Sequence, residues 1–499
     1  MSKIKAPFYN MVASSLAEAS DRAVLVGPQR TLSGAEILAE TEHWAAALAV
    51  LGVRQGDRVA VQAPKSLELV LLYLGVLRLG AVYVPLNSGY RTSEIDYFLA
   101  DAEPALFVCD PADCGAYETM ARERNVRLAT LGEEGQGTLR DAILSGNPPA
   151  PEPDLGDGDL AAIVYTSGTT GRSKGAMVTQ ANLLSNARAL AEAWGVTRRD
   201  VLLHALPLFH IHGLFVALNT LLIAGGRIEL MPAFSSEAVA RRLPSATLFM
   251  GVPTYYTRLL AEPGFDRASS AGIRLFVCGS APLTPAAFEA FEARTGHRIL
   301  ERYGMSECGI ICSNPLDGPR LPGAVGRPLP GVEVRIADGA PVGVLEVRGP
   351  NVCAGYWRQP EKTRAEFRDD GFFVTGDVAT IDEAGVVRIV GREKDMIISG
   401  GLNIYPKEIE LAIDAFAEVD ESAVIGLPHP DFGEAVAAVV RLHPGQVLDG
   451  PALIARLKDD LAGFKIPKAV FLVEELPRNA MGKVQKAALR EAHRDHFGG

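Results

Sequence analysis

The sequence predicts an α/β protein. It should have a large N-terminal domain of helix-covered sheets that includes a small β-rich subdomain, and a smaller α+β C-terminal domain. Three observations support this. Helical and strand signals alternate along most of the chain. Near residue 320 Gly and Pro become dense and short strands replace helices. After Arg392 the pattern changes again to α+β. At 499 residues the chain is too long for one ordinary core.

Ala35 to Leu51 has apolar residues at helical spacing. Asp57-Arg58-Val59-Ala60-Val61-Gln62 follows the turn residues Gly56 and Asp57 as a short strand. The alternation continues with a helix over Leu67 to Leu79, a strand over Val82 to Pro85, a helix over Ser93 to Asp101 and a strand over Ala105 to Cys109. This is the pattern of a parallel sheet covered by helices. A Pro-rich polar link at 146–158 ends just before an apolar strand, Leu160 to Tyr165. Beyond residue 320, Val332 to Ile336, Val344 to Val347 and Val386 to Val390 read as short strands. The main domain boundary is expected at 391–394.

Hydrophobic residues make up 48% and charged residues 22%, as in a soluble globular protein. A formal net charge of -11 without a long basic run argues against nucleic acid as a main partner. The most apolar stretch, Leu67 to Leu86, is interrupted by Glu68, Gly75, Arg78 and Gly80. It reads as a buried helix entering a buried strand, so no membrane association is expected. No secretory signal follows Met1 to Lys5, and Phe497-Gly498-Gly499 is no targeting signal, so a cytoplasmic enzyme is expected. Six cysteines are few for this length and imply free thiols in a reducing compartment. The spacing of Cys308 and Cys312 would suit two ligands on one helical face. No nearby His or Cys completes a tetrahedral set, so ordinary packing is the expected role.

The strand from Leu160 runs into Thr166-Ser167-Gly168-Thr169-Thr170-Gly171-Arg172-Ser173-Lys174-Gly175. Glycines let backbone approach an anion, hydroxyls and amides donate to phosphate oxygens, and Lys174 adds charge. Gly175 after the lysine and the glycine spacing exclude the nucleotide loop of the common NTPases. The plain alternative is a flexible surface hairpin. Tyr165 to Gly175 resembles the signature loop of the adenylate-forming superfamily. That superfamily includes acyl-CoA synthetases, luciferases and peptide-synthetase adenylation domains. The resemblance continues in order along the chain. Gly279-Ser280-Ala281-Pro282-Leu283 and Tyr303-Gly304-Met305-Ser306-Glu307 are similar to the adenine and magnesium segments. Thr375-Gly376-Asp377 is similar to the ribose segment, Gly391 to Asp395 to the hinge, and Pro477 to Lys483 to the catalytic-lysine loop.

The resemblance implies ATP, Mg2+ and coenzyme A as cofactors and a two-step reaction. A carboxylate attacks the α-phosphorus and pyrophosphate leaves; a thiol then attacks the acyl carbonyl and AMP leaves. It implies an N-terminal AMP- and acyl-binding domain at 1–391, a hinge at 392–394 with Lys394 at its pivot, and a mobile C-terminal domain at 395–499. Lys483, Thr166 and Glu307 are the implied catalytic residues, with Glu307 holding the metal. Nucleotide contacts fall to Thr166, Ser167, Gly168, Thr169, Thr170, Gly171, Lys174, Gly279, Ser280, Ala281, Tyr303, Gly304, Met305, Ser306, Asp377 and Arg392. Ser306 stands where the family usually has Thr and keeps the hydroxyl. Ser399, Gly400 and Gly401 would line the passage for the pantetheine arm. Taken singly, Glu307 reads as a solvated residue or cap, Tyr303 as core, Asp377 as a turn residue, and Arg392 and Lys483 as solvated surface.

Leu206 to Gly213 matches the family's acyl-pocket segment. This assigns His210, Ile211, Ser280 and Met305 to substrate, with His212 helping to shape the pocket. His210 read locally is a core histidine. Arg258, in the helix that follows Met250, is expected to be buried in the pocket and to pair with a carboxylate through two parallel hydrogen bonds. The plain reading is a partly exposed helix arginine, and Arg302 or Arg274 is then the alternative partner for that carboxylate. Nearly the whole chain resembles the malonyl-CoA synthetases, which implies malonate as the acid. Ile211 stands where those enzymes often carry a smaller or polar residue, which leaves methyl-substituted malonates open. Other short or medium carboxylic acids, or a carrier protein loaded in trans, are the alternatives. A lysine acetyltransferase acting on Lys483 is a further expected partner.

Overall fold

The computed structural model describes residues 7–144, 146–166, 173–400, 402–458, 460–479 and 483–498. Ser167, Gly168, Thr169, Thr170, Gly171 and Gly401, all assigned above to ligands, lie outside the described residues, as do 480–482 of the lysine loop.

Helix starts follow local chemistry. Ser33 and Glu36 form a capping box at the head of the Gly34–Val50 helix, Ser66 caps Leu67–Arg78, and Thr179 caps Gln180–Ala193. Leu67–Arg78 is buried on almost every side, which explains its near-continuous apolar run. It packs so closely on Gly34–Val50 that a Cβ on Gly75 would meet the Cβ of Trp44 at 2.8 Å.

Among the described residues the large N-terminal domain holds two helix-covered sheets. The six-stranded sheet runs Arg127–Thr130, Leu106–Cys109, Arg58–Gln62, Val82–Pro85, Leu160–Thr166 and Lys174–Thr179. It is parallel except for the last pair. The nine-stranded sheet has a parallel centre formed by Val201–His204, Leu248–Gly251, Leu275–Cys278 and Leu300–Met305. Glu333–Ile336, Gly343–Arg348, Phe373–Ile381 and Val387–Arg392 then form a four-stranded antiparallel sheet over its own apolar cluster. The smaller C-terminal domain wraps helices around a five-stranded sheet centred on Val419–His429 and Gly433–Leu442.

One local reading needs correction. Cys308 and Cys312 do not share a helical face. Cys308 lies in the turn between the Leu300–Met305 and Gly309–Ser313 strands, and Cys312 lies in the second strand. Both are buried free thiols, and no cluster of metal-ligating side chains occurs among the described residues. No helix there is long and apolar enough to cross a membrane.

Candidate active site

The central parallel strands end at one edge, and the motif residues leave from their C-terminal ends, where open α/β sheets bind ligands. Gly279 and Ser280 follow Leu275–Cys278, Tyr303 to Met305 finish Leu300–Met305, and Thr166 finishes Leu160–Thr166. Ser280 is held at φ 72°, a conformation that L-residues rarely adopt. A Cβ at Gly279 would lie 2.3 Å from the Arg302 guanidinium carbon, so this turn needs glycine for lack of space.

Glu307 is buried, and burial pushes its carboxyl above the usual range. The Thr166 hydroxyl donates to its Oε1 at 3.2 Å and the Tyr356 hydroxyl reaches the same oxygen at 3.3 Å. Its second oxygen takes part in neither bond. One carboxylate with a free oxygen suits Mg2+, which keeps several waters and is bound through one or two carboxylates plus phosphate oxygens. Lys174 is buried, bonded to Glu366 at 2.7 Å, with its ammonium 4.8 Å from the Tyr356 ring centroid. Tyr303 donates to Asp377 Oδ2 at 2.5 Å, and Arg392 Nε sits 2.9 Å from Asp377 Oδ1. Gly304 pairs with Ile310 and Met305 with Gly309 across a hairpin; Ser306 and Ala281 lie in the half-buried turns beside them.

Lys483 belongs to the C-terminal domain and acts electrostatically on this edge. It feels Arg392, Asp377, Arg302 and Glu307, and it lowers the affinity of His210 for protons. Crowding by protein, and then the Arg392 cation, pushes its ammonium down to about 8, although the residue keeps a face open to solvent. Lys394 lies in the Glu393–Asp395 turn. Ser399 closes a short strand, and Gly400 adopts φ 57° with its N–H on Phe432 O.

The acyl-side residues differ from expectation at one position. Arg258 is exposed: in the Pro253–Ala261 helix Tyr256 and Leu259 form the buried face, and the intervening arginine faces outward. Arg302, the alternative to Arg258, lies beneath the strand ends with 5% exposure, and its Nε and Nη2 have no partner among the described residues. Burial pushes it down to about 10, so it stays charged at neutral pH. Its field reaches His212, whose Nδ1 is 3.2 Å from Ser280 Oγ. Nε2 of His212 and Nε2 of His210 are also buried and unpaired. Burial keeps both imidazoles neutral, His210 at about 3. Ile211, partly buried, packs against the main core between them. Together these groups form a set of unsatisfied polar atoms with a net positive charge, able to receive an anion.

Sequence reasoning also missed Lys65, Tyr356 and Glu366. Lys65 Nζ lies 3.0 Å from His204 Nδ1, in a cavity of ≈ 290 Å³ that Pro207, Leu208 and Phe209 also line. No motif surrounds Lys65. The signal for the other two was a Tyr and a Glu ten residues apart in a polar stretch, a pattern without meaning until folding brings both to Glu307.

A sequence profile of the AMP-binding enzyme family matches residues 12–357, and one for the AMP-binding enzyme C-terminal domain matches 408–483. The chain is 36% identical over 478 residues to a mitochondrial malonate–CoA ligase of Xenopus laevis, covering 87% of this chain and 82% of that protein. It is also 36% identical over 470 residues to a feruloyl-CoA synthase of Amycolatopsis sp, covering 92% and 93%. Among solved structures, ATP-bound MatB from Rhodopseudomonas palustris is similar at 48% identity and a TM-score of 0.94, covering 98% of this chain and 99% of that one. The apo form of MatB gives a TM-score of 0.84 at 47% identity, covering 99% and 100%.

Proposed function

The chain belongs to the AMP-binding enzyme family and is an AMP-forming acyl-CoA synthetase using ATP, Mg2+ and coenzyme A, and from that premise we propose that the acid it activates is malonate. The observation that carries this reading is Arg302, a buried cation whose Nε and Nη2 have no partner among the described residues. A second carboxylate on the substrate supplies two acceptor oxygens in the matching geometry. An aromatic or aliphatic acid would leave both groups buried and unpaired, which is costly. The malonate–CoA ligase relative supports the same choice.

In this reading the distal carboxylate meets Arg302, with His210 and His212 donating nearby, and the proximal one faces the α-phosphorus. A carboxylate oxygen bonds to that phosphorus, and the bond to the pyrophosphate oxygen breaks. Lys483 donates to both reacting groups as charge builds on the phosphate. Glu307 would hold Mg2+, which supplies neutralising charge for the phosphate oxygens. Thr166 and the loop after it, with Ser306, Gly279 and Ala281, border the phosphates and base. Tyr303 offers a ring to adenine, Asp377 accepts from the ribose hydroxyls, and Arg392 adds a donor.

For the second step the domain at 395–499 turns about 392–394, with Lys394 at the pivot. Ser399 to Gly401 then line the pantetheine arm. The thiol sulfur bonds to the acyl carbon as its proton leaves, and the bond from that carbon to the AMP oxygen breaks. A cytoplasmic location belongs to the same proposal, as does control by an acetyltransferase. An acetylated Lys483 has no charge to donate, so the modified enzyme should be inactive in adenylation.

Arg302→Leu tests the substrate. The malonate KM should rise so that kcat/KM falls by about 2–5 kcal/mol, the usual cost of truncating one side of a buried charge pair. The KM for ATP should hardly move, and Arg258→Leu should leave both constants near those of the parent. An unchanged malonate KM in folded Arg302→Leu would remove the assignment.

A further inference from the structure

The residues behind Glu307 form a connected chain of charge. Tyr356 is 2% exposed, and its hydroxyl lies between two carboxylates, Glu307 Oε1 at 3.3 Å and Glu366 Oε2 at closer range. A phenol has one proton and can donate to only one of them at a time. Glu366 is held from the other side by Lys174 at 2.7 Å, with Lys362 at 3.5 Å. The Lys174 ammonium also lies against the face of the Tyr356 ring, a cation–π contact. Backbone bonds fix the same parts: Tyr356 bridges to Ala176, Trp357 N–H donates to Gly175 O, and Tyr356 N–H donates to Thr363 Oγ1 at the start of the turn leading to Glu366.

From this arrangement we propose that Tyr356, Glu366 and Lys174 are positioning residues for Glu307, and that Lys174 is committed to this chain rather than to the nucleotide's phosphates. The proposal rests on the reading of Glu307 as the metal carboxylate. Three facts support it. Lys174 has 9% side-chain exposure and two partners already. Moving it to a phosphate would leave Glu366 without its nearest cation and Tyr356 between two carboxylates that repel each other. Tyr356 and Thr166 both reach Glu307 through Oε1, which sets the direction of the other oxygen. Partners that orient a ligating carboxylate act on metal affinity without touching the metal.

The test is Mn2+ binding to the protein saturated with α,β-methylene-ATP, which cannot be cleaved at the reacting bond, read by electron paramagnetic resonance. Tyr356→Phe and Glu366→Gln should each weaken Mn2+ by about tenfold, the lower end for partners behind a ligand. Metal-free binding of the analogue should stay as in the parent, and Glu366→Asp should recover part of the loss. Lys174→Met should behave like Glu366→Gln. An unchanged Mn2+ affinity in whichever of Tyr356→Phe and Glu366→Gln is folded overturns the chain. A Lys174→Met variant that loses metal-free analogue binding while keeping Mn2+ affinity overturns the assignment of Lys174. Glu307→Gln separates the two levels. If it leaves Mn2+ affinity unchanged, the metal reading of Glu307 has failed. If it abolishes Mn2+ binding while Tyr356→Phe does not affect it, only the positioning chain has failed.

Discussion

Lys483 has a charge that its surroundings make conditional. Surrounding protein disfavours its charged form, as do Arg392 and Arg302, which outweigh Asp377 and Glu307, and its pKa falls to about 8 although the side chain is exposed. In the proposed mechanism the charged form is the useful one, because it donates to the carboxylate and phosphate. Activity from this group is therefore full below pH 8 and is lost as pH rises through it. kcat/KM for adenylation, which reports the free enzyme, should be about tenfold lower at pH 9 than at pH 7. His210 and His212 are already neutral across that range and add no limb of their own. A flat profile from pH 7 to pH 9 would show that Lys483 is not the group in control. Lys483→Ala should lose about 3 kcal/mol or more in adenylation, as for removal of a transition-state donor. It should lose much less in thioester formation from preformed malonyl-adenylate. Equal loss in both steps would point to a folding defect instead.

At the scale of elements, the turn after Leu275–Cys278 holds the proposed acyl site together. Gly279 leaves room for Arg302, and Ser280, in its left-handed conformation, turns its hydroxyl to His212. Gly279→Ala should force the guanidinium aside or strain the turn by about 1–3 kcal/mol, the cost of overpacking. The melting temperature should fall and the malonate KM should rise, while the CoA constant stays put; an unaltered malonate KM would separate this turn from substrate binding. The strand–helix alternation was readable because buried parallel strands are short apolar runs, and Leu67–Arg78 and Val82–Pro85 fall within a residue of the expected spans. The motif residues were readable because loops at strand ends keep chemistry-bearing types together. The cation proposed for the acyl site was harder to read. Register on a short helix decides whether Arg258 points in or out, and one residue of rotation separates it from buried Leu259. Arg302 could be named only as an alternative, for the opposite reason. Leu300, Glu301 and Arg302 are all buried, so the strand lacks the in–out alternation that would mark a charged residue as unusual.

For the whole molecule, the proposed mechanism makes the relation of the two domains set which half-reaction the site can perform. Two structures of one relative, matched at 48% and 47% identity over nearly equal lengths, give TM-scores of 0.94 with ATP bound and 0.84 without it. Sequence distance cannot account for that gap, so it reflects conformation, and the conformation described here is the one near the ATP-bound form. It agrees with Lys483 facing Asp377, Glu307 and Arg302. In this arrangement the Gly400 turn is surrounded by apolar surface left open to water: Ile398 is 51% exposed, Leu402 47% and Phe432 40%. Exposed apolar groups gathered at one turn are what a surface covered in another state looks like. If the domain turns as proposed, the two surfaces should exchange protection. Adding a nonreactive malonyl-adenylate analogue with CoA should slow hydrogen exchange at 397–404 and 432–434 and speed it at 476–485, each by about tenfold or more, since covering and opening a face shifts local stability by roughly a kcal/mol or above. ATP analogue alone should protect the second segment only. The reciprocal change is the test, since a ligand that merely tightened the protein would slow exchange at both segments, and that result would remove the rotation from the mechanism.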